Sequence, residues 1–97
     1  PDTQTERTIY YCEKYKKSEG KLVEILKTVK NKFEPARLSE FIELQKKLEE
    51  YRENEAEFIS SRFGGGTIRP QIKCQELRRL TNMRIYEINH ILEAECP

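Results

Sequence analysis

The sequence predicts an all-α fold, an antiparallel three-helix bundle with up-down-up order and coiled-coil-like packing. Three stretches of similar length, about residues 4–33, 36–62 and 70–95, each carry apolar residues at helical spacing. The strongest helix breakers, Pro35 and the glycine run at 64–66, lie between these stretches. Two breaks between three helices of matched length indicate a bundle joined by short connections.

Composition limits the size of the core. The chain has 97 residues, of which 36% are hydrophobic and 36% are charged. So small and polar a chain fits one domain built from thin amphipathic helices. We therefore expect residues 1–97 to form a single helical interaction domain. Because the chain opens with Pro1 and no initiator Met, we also expect it to be a fragment of a larger protein.

The first helix has a clear start and an uncertain middle. Thr3 and Glu6 have the spacing of a capping box, in which both side chains satisfy free backbone N–H groups. Gly20 costs about 1 kcal/mol relative to Ala inside a helix. The sequence leaves open whether Gly20 breaks this helix.

Apolar stripes on the other two helices are predicted to face the bundle core. On the second helix the stripe consists of Phe41, Leu44, Leu48, Tyr51 and Phe58. On the third helix, the stripe spans an arc of roughly 140° at ~100° per residue, wide enough for contact with two neighbouring helices. Its members are Cys74, Leu77, Leu80, Thr81, Ile85, Ile88, Ile91 and Leu92.

Charge is divided between the first two helices. Residues 1–33 hold eight Lys or Arg against five Asp or Glu, and residues 34–62 hold five against eight. The two segments are therefore +3 and −3. Opposite charge on antiparallel neighbours favours their pairing, although an exposed pair contributes only about 0.2–1 kcal/mol.

A polar layer is predicted in the middle of the bundle. Arg84 lies at the centre of the third apolar stripe, and Glu19 interrupts the first. Counting back from the two turns brings both residues and Tyr51 to one level. We predict that Glu19 pairs with Arg84, with the Tyr51 hydroxyl nearby, and that this layer fixes the register. The alternative is that both charges extend into water at the edge of the bundle.

The cysteines indicate a reducing environment. Cys12, Cys74 and Cys96 are odd in number and far apart, which indicates neither a disulfide framework nor a zinc site. We expect them to act as small apolar residues in an intracellular protein, cytoplasmic rather than nuclear. No signal-peptide pattern or membrane-spanning run is present in the sequence.

Catalysis has no support in the sequence. The chain has one His, His90, and one Asp, Asp2, and neither lies near a plausible nucleophile in the predicted helices. The glycine run lacks the pattern of a phosphate-binding loop. We therefore predict a protein that is not an enzyme and that needs no cofactor or metal.

Protein binding is the predicted function. We expect an intracellular scaffold or adaptor module that binds another protein through a helical face. The sequence does not identify this partner. The candidate contacts are the apolar residues that the stripes accommodate poorly: Tyr10, Ile72, Met83 and Tyr86. One alternative is a coiled-coil domain that homodimerises. A less favoured alternative is nucleic-acid binding through basic faces of the first and third helices, which the nearly neutral net charge of +1 opposes.

Overall fold

The computed structural model describes residues 3–97 and contains three helices in this range. They are α1 (Gln4–Lys32), α2 (Pro35–Ser61) and α3 (Arg69–Glu95). The predicted all-α fold is confirmed, because α3 packs against both α1 and α2 as in a three-helix bundle.

Helix boundaries follow the local signals. The Thr3 hydroxyl accepts a hydrogen bond from the Glu6 amide at 3.0 Å, which caps α1. The other half of the predicted capping box is absent, since the Glu6 carboxylate accepts from the Thr3 hydroxyl instead of a backbone N–H. Prolines occupy the first turns of α2 and α3. Gly20 does not break α1, which continues through it to Lys32.

The apolar core lies at the closed end of the bundle, where α1 meets the start of α2 and the end of α3. Phe33 and Phe41 pack edge to face there, with ring centroids 5.8 Å apart. The buried core cluster consists of Leu22, Val29, Phe33, Phe41 and Ile88. The core is small, as the composition predicts.

A disulfide joins the opposite end. Cys12 in α1 and Cys74 in α3 are bonded, with their Cα atoms 5.0 Å apart, although 62 positions separate them in sequence. The expectation that these two cysteines act only as small apolar residues is therefore wrong. The up-down-up order makes α1 and α3 parallel and brings two distant positions together, which their spacing in the sequence does not show. Cys96 is a free thiol.

Ion pairs hold α2 against α3 at both ends. Arg37 at the start of α2 donates to Glu95 at the end of α3 at 2.6 Å. At the other end Glu57 accepts from Lys73 and Arg69. These hydrogen bonds lower the pKa of Glu57, with Lys73 as the largest cause, and the bond from Arg37 lowers the pKa of Glu95.

The predicted charge pairing between α1 and α2 does not form. Within residues 3–97, no lysine of α1 makes an ion pair with an acid of α2. The ion pair between these helices runs the other way, because Arg52 of acidic α2 donates to Glu19 of basic α1 at 2.8 Å. The acids of α2 that do form ion pairs have basic partners on α2 and α3, and they are Glu40, Glu43, Glu53 and Glu57.

Candidate protein-binding face

Beyond Phe41, the orientation of α2 differs from what its apolar residues predict. Toward the bundle this helix buries Phe41, Gln45, Ala56 and Ser60, and the last two are 0% exposed. Three large apolar side chains that the sequence assigns to the core are exposed instead: Leu44 by 47%, Tyr51 by 52% and Phe58 by 75%. Apart from Phe41, the side chains that α2 buries are thus small or polar, while three of its bulky apolar side chains contact solvent.

These three exposed residues lie on one line along α2 with Leu48 and Glu55, which are half-buried. Positions 44, 48, 51, 55 and 58 alternate in steps of four and three, which is the spacing of a coiled-coil seam. We call these five residues the outer row. At 1.5 Å per residue it extends about 21 Å. Glu55, the one charged residue of the row, accepts a hydrogen bond from the Tyr51 hydroxyl at 2.6 Å, and this bond raises the pKa of Tyr51. A face of this pattern is typical of a helix that packs on something beyond its own bundle.

A polar network beneath the outer row fixes α2 in this orientation. One guanidinium nitrogen of Arg52, Nη1, donates to Glu19 in α1 at 2.8 Å and to the Thr81 hydroxyl in α3 at 2.9 Å. Arg84 donates from Nε to the Gln45 side-chain oxygen, also at 2.8 Å. Turning α2 to bury its apolar row would break these three hydrogen bonds inside the bundle, where Arg52 Nε and Arg84 Nη2 already lack a partner among the described residues.

The predicted polar layer exists with different partners. Glu19 pairs with Arg52 and not with Arg84, whose charged partner is Glu87 on its own helix. Tyr51 stands outside the layer in the outer row. The sequence does not single out Arg52, because this residue lies off the apolar stripe of α2. Whether the layer sets the register stays a prediction.

The edge of α3 extends the exposed face. Met83 is about half exposed and lines a cleft of about 280 Å³ between α2 and α3, together with Leu48, Tyr51 and Leu80. Arg79 also lines this cleft, and its guanidinium lies 3.4 Å from the Met83 sulfur. The outer row and this cleft together form a surface with exposed apolar residues, a concave site and a positively charged edge. We call them the α2–α3 face.

The other predicted contact residues lie apart from the outer row. Tyr86 is strongly exposed on α3, one turn beyond Met83, and Ile72 is half-buried near the start of that helix. Tyr10 lies on α1, where Lys14 sits over its ring at 4.9 Å. The structure therefore brings only Met83 of the four next to the outer row. No observation tests any of them as a contact.

Two kinds of feature are absent from the described residues. No group of three or more His, Cys, Asp or Glu side chains in residues 3–97 could hold a metal ion. The helices of this range also lack an apolar segment long enough to cross a bilayer. What the arrangement can do is bind another macromolecule by surface complementarity.

Comparison with known proteins identifies one family. The sequence model described as "Lysozyme inhibitor LprI" matches residues 1–88, which is most of the chain. Neither the curated proteins nor the solved structures include a significant match.

Proposed function

The chain belongs to the LprI family of lysozyme inhibitors, and from this we propose that it binds a lysozyme-type muramidase and blocks its substrate cleft through the α2–α3 face. A binding protein of this kind is non-catalytic, because covering the cleft of a hydrolase requires no chemistry from the inhibitor. In place of the scaffold or adaptor role expected from the sequence, we propose an inhibitor of lysozyme-type enzymes.

The orientation of α2 is the observation that supports this surface. Leu44, Tyr51 and Phe58 leave apolar area in water that α2 would bury if it were turned, and that turn would break the hydrogen bonds of Arg52. Burying apolar surface contributes roughly 25 cal/mol per Å². A partner surface that covers the outer row therefore gains this free energy without any rearrangement of the bundle.

The exposed aromatic residues of the face suit a protein partner. Stable interfaces bury about 800 Å² on each partner and place aromatic anchors near the centre. Tyr51 stands in the middle of the outer row, beside the α2–α3 cleft, and Phe58 is the most exposed member of the row. Arg79, at the rim of the cleft, donates to Glu76 on its own helix and to the Met83 sulfur, and a carboxylate of the partner would compete for these donors.

We also propose that the protein works in an oxidising compartment. The Cys12–Cys74 bond supports this setting, since disulfides persist outside the cytosol and are rare within it. Lysozyme-type enzymes act on cell-wall glycans, so an inhibitor that meets them outside the cytoplasm is consistent with the same chemistry.

Inhibition of cell-wall hydrolysis by a lysozyme tests the proposal directly. Titrating the purified chain into a lysozyme assay should reduce the rate in a saturable way. Changing Phe58→Ser should then raise the inhibition constant at least about tenfold, since truncating an aromatic anchor of an interface costs about 2 kcal/mol or more.

Val23→Ser is the control, because Val23 is also an exposed apolar residue but lies on α1, away from the outer row. It should leave the inhibition constant unchanged. Equal inhibition by the wild type and the Phe58→Ser variant would rule out the α2–α3 face. No inhibition of any lysozyme class by the wild type would rule out the function.

Self-association is the second candidate function, and the spacing of the outer row favours it. Two copies could pack their outer rows against each other as a coiled-coil seam does. Sedimentation equilibrium distinguishes the two candidates. A dimer that dissociates in the Phe58→Ser variant would assign the row to self-assembly, whereas a monomer over the full concentration range would leave the row free for the enzyme.

A further inference from the structure

An apolar groove lies between α1 and α2. Both helices pack on α3, and where they diverge they leave an open space of about 310 Å³. Its apolar lining residues are Val23, Leu26, Val29, Leu38, Phe41 and Ile42. The groove is separate from the outer row, which lies on the other flank of α2.

The groove reaches down to the core. Val29 and Phe41 at its base are nearly or fully buried, whereas Val23 at its edge is about half exposed. A ligand seated here would contact the closed core at one end and remain accessible at the other. Small-ligand pockets of about 300–1,000 Å³ share this apolar, partly open character.

Cationic side chains surround the opening. Lys27, Lys30 and Lys46 line the groove, and Glu49 is the one acid among its lining residues. Lys27 and Lys46 each make one exposed ion pair on their own helix, a kind of contact that holds a side chain only weakly. Lys30 makes no ion pair within residues 3–97. The Glu49 carboxylate accepts a hydrogen bond at 3.1 Å from the side-chain amide of Gln45, one turn earlier on the same helix.

We propose that this groove binds the single alkyl chain of an anionic amphiphile, such as a fatty acid, with the acidic head held by the lysines at the rim. The apolar lining would contact the alkyl chain of the ligand. The three lysines at the rim outnumber the one glutamate and would attract its negative head. The volume favours an alkyl chain over a helix of a partner protein, whose diameter with side chains is about 10–12 Å.

Isothermal titration with dodecanoate below its micelle concentration tests the proposal. We expect saturable binding of one molecule per chain. Dodecyltrimethylammonium, which has the same alkyl chain and a positive head, should bind at least about tenfold more weakly. The reversal variant Lys30→Glu/Lys46→Glu should remove this preference, whereas Lys16→Glu/Lys47→Glu, which changes the net charge equally at exposed positions outside the groove, should keep it.

A groove-filling variant tests the location. Val23→Trp should weaken dodecanoate binding at least about tenfold, while Ile9→Trp, a comparable change on exposed α1 surface, should not. Circular dichroism of each variant checks that the bundle is intact. If dodecanoate does not bind, or if it binds Val23→Trp as tightly as the wild type, the proposal is wrong.

Sedimentation of the same variants tests whether a second copy of the chain occupies the groove instead. A change of mass in Val23→Trp without a change in dodecanoate affinity would make the groove an interface between copies and would also overturn the proposal. The titration does not involve a muramidase, so its outcome is independent of the inhibition assay.

Discussion

Arg52 and Glu19 tie α2 to α1 through a bond of 2.8 Å, and the same Arg52 nitrogen also donates to Thr81 in α3. One half-buried guanidinium thus contacts all three helices. Hydrogen bonds to charged groups contribute about 1.5–3 kcal/mol each. We expect Arg52→Met to lower the free energy of unfolding by about 2 kcal/mol or more, measured by urea denaturation.

A double-mutant cycle with Glu19→Gln separates the pair from the rest of the network, and the two changes should be clearly non-additive. Arg62→Met removes an exposed arginine that lies over the Phe63 ring and serves as the control. Equal midpoints for Arg52→Met and Arg62→Met would contradict the role assigned to Arg52.

Gly20→Ala should stabilise the protein by about 0.5–1 kcal/mol, because Gly is the weaker helix former and Gly20 lies within the continuous α1 helix. A Cβ at this position would meet no atom within 4 Å. Thermal unfolding followed by circular dichroism measures the gain.

Gly66→Ala provides the opposite control in the loop between α2 and α3. A Cβ there would lie 2.9 Å from the Phe63 carbonyl oxygen, so the backbone must shift and stability should fall. A loss of stability in Gly20→Ala would indicate that α1 is distorted at this residue in solution.

Reduction of the Cys12–Cys74 bond should cost about 2–4 kcal/mol, because it closes a loop with a sequence separation of 62 and restricts the unfolded chain. Urea unfolding with and without a reductant measures the difference. The Cys12→Ser/Cys74→Ser variant should match the reduced wild type and be insensitive to the reductant. Equal stability of the oxidised and reduced wild type would contradict this expectation.

Acid should weaken the contacts between the ends of α2 and α3. The pKa values of Glu57 and Glu95 are lowered in the folded protein by their basic partners. Their contribution to stability is therefore complete above the unfolded pKa near 4.5 and is lost as the pH falls through the lower folded values. Melting temperatures measured from about pH 6 down to about pH 3 should show this decline.

The Glu57→Gln/Glu95→Gln variant should start with a lower melting temperature and lose less of it on acidification. Glu93→Gln, at an exposed acid without an ion pair among the described residues, should follow the wild type. Parallel curves for all three proteins would show that these two carboxylates do not carry the acid sensitivity.

Helix positions were predictable from the sequence, whereas the faces of α2 were not. Breakers such as Pro35 act through neighbouring residues, so the predicted ends agree with the structure to within about one residue. The orientation of α2 depends on hydrogen bonds from Arg52 and Arg84 to residues far away in sequence. An apolar stripe alone cannot show whether it faces its own core or a partner, and here the small residues Ala56 and Ser60 mark the packed side.

The disulfide also determines how the molecule carries mechanical load. The bond between Cys12 and Cys74 bypasses everything between these residues, including all of α2. When the chain is stretched from its two ends, tension passes from α1 to α3 through the sulfur atoms and never through α2. While the bond is intact, a pulling force can therefore extend only the residues before Cys12 and after Cys74, and the segment that carries the outer row is not stretched directly.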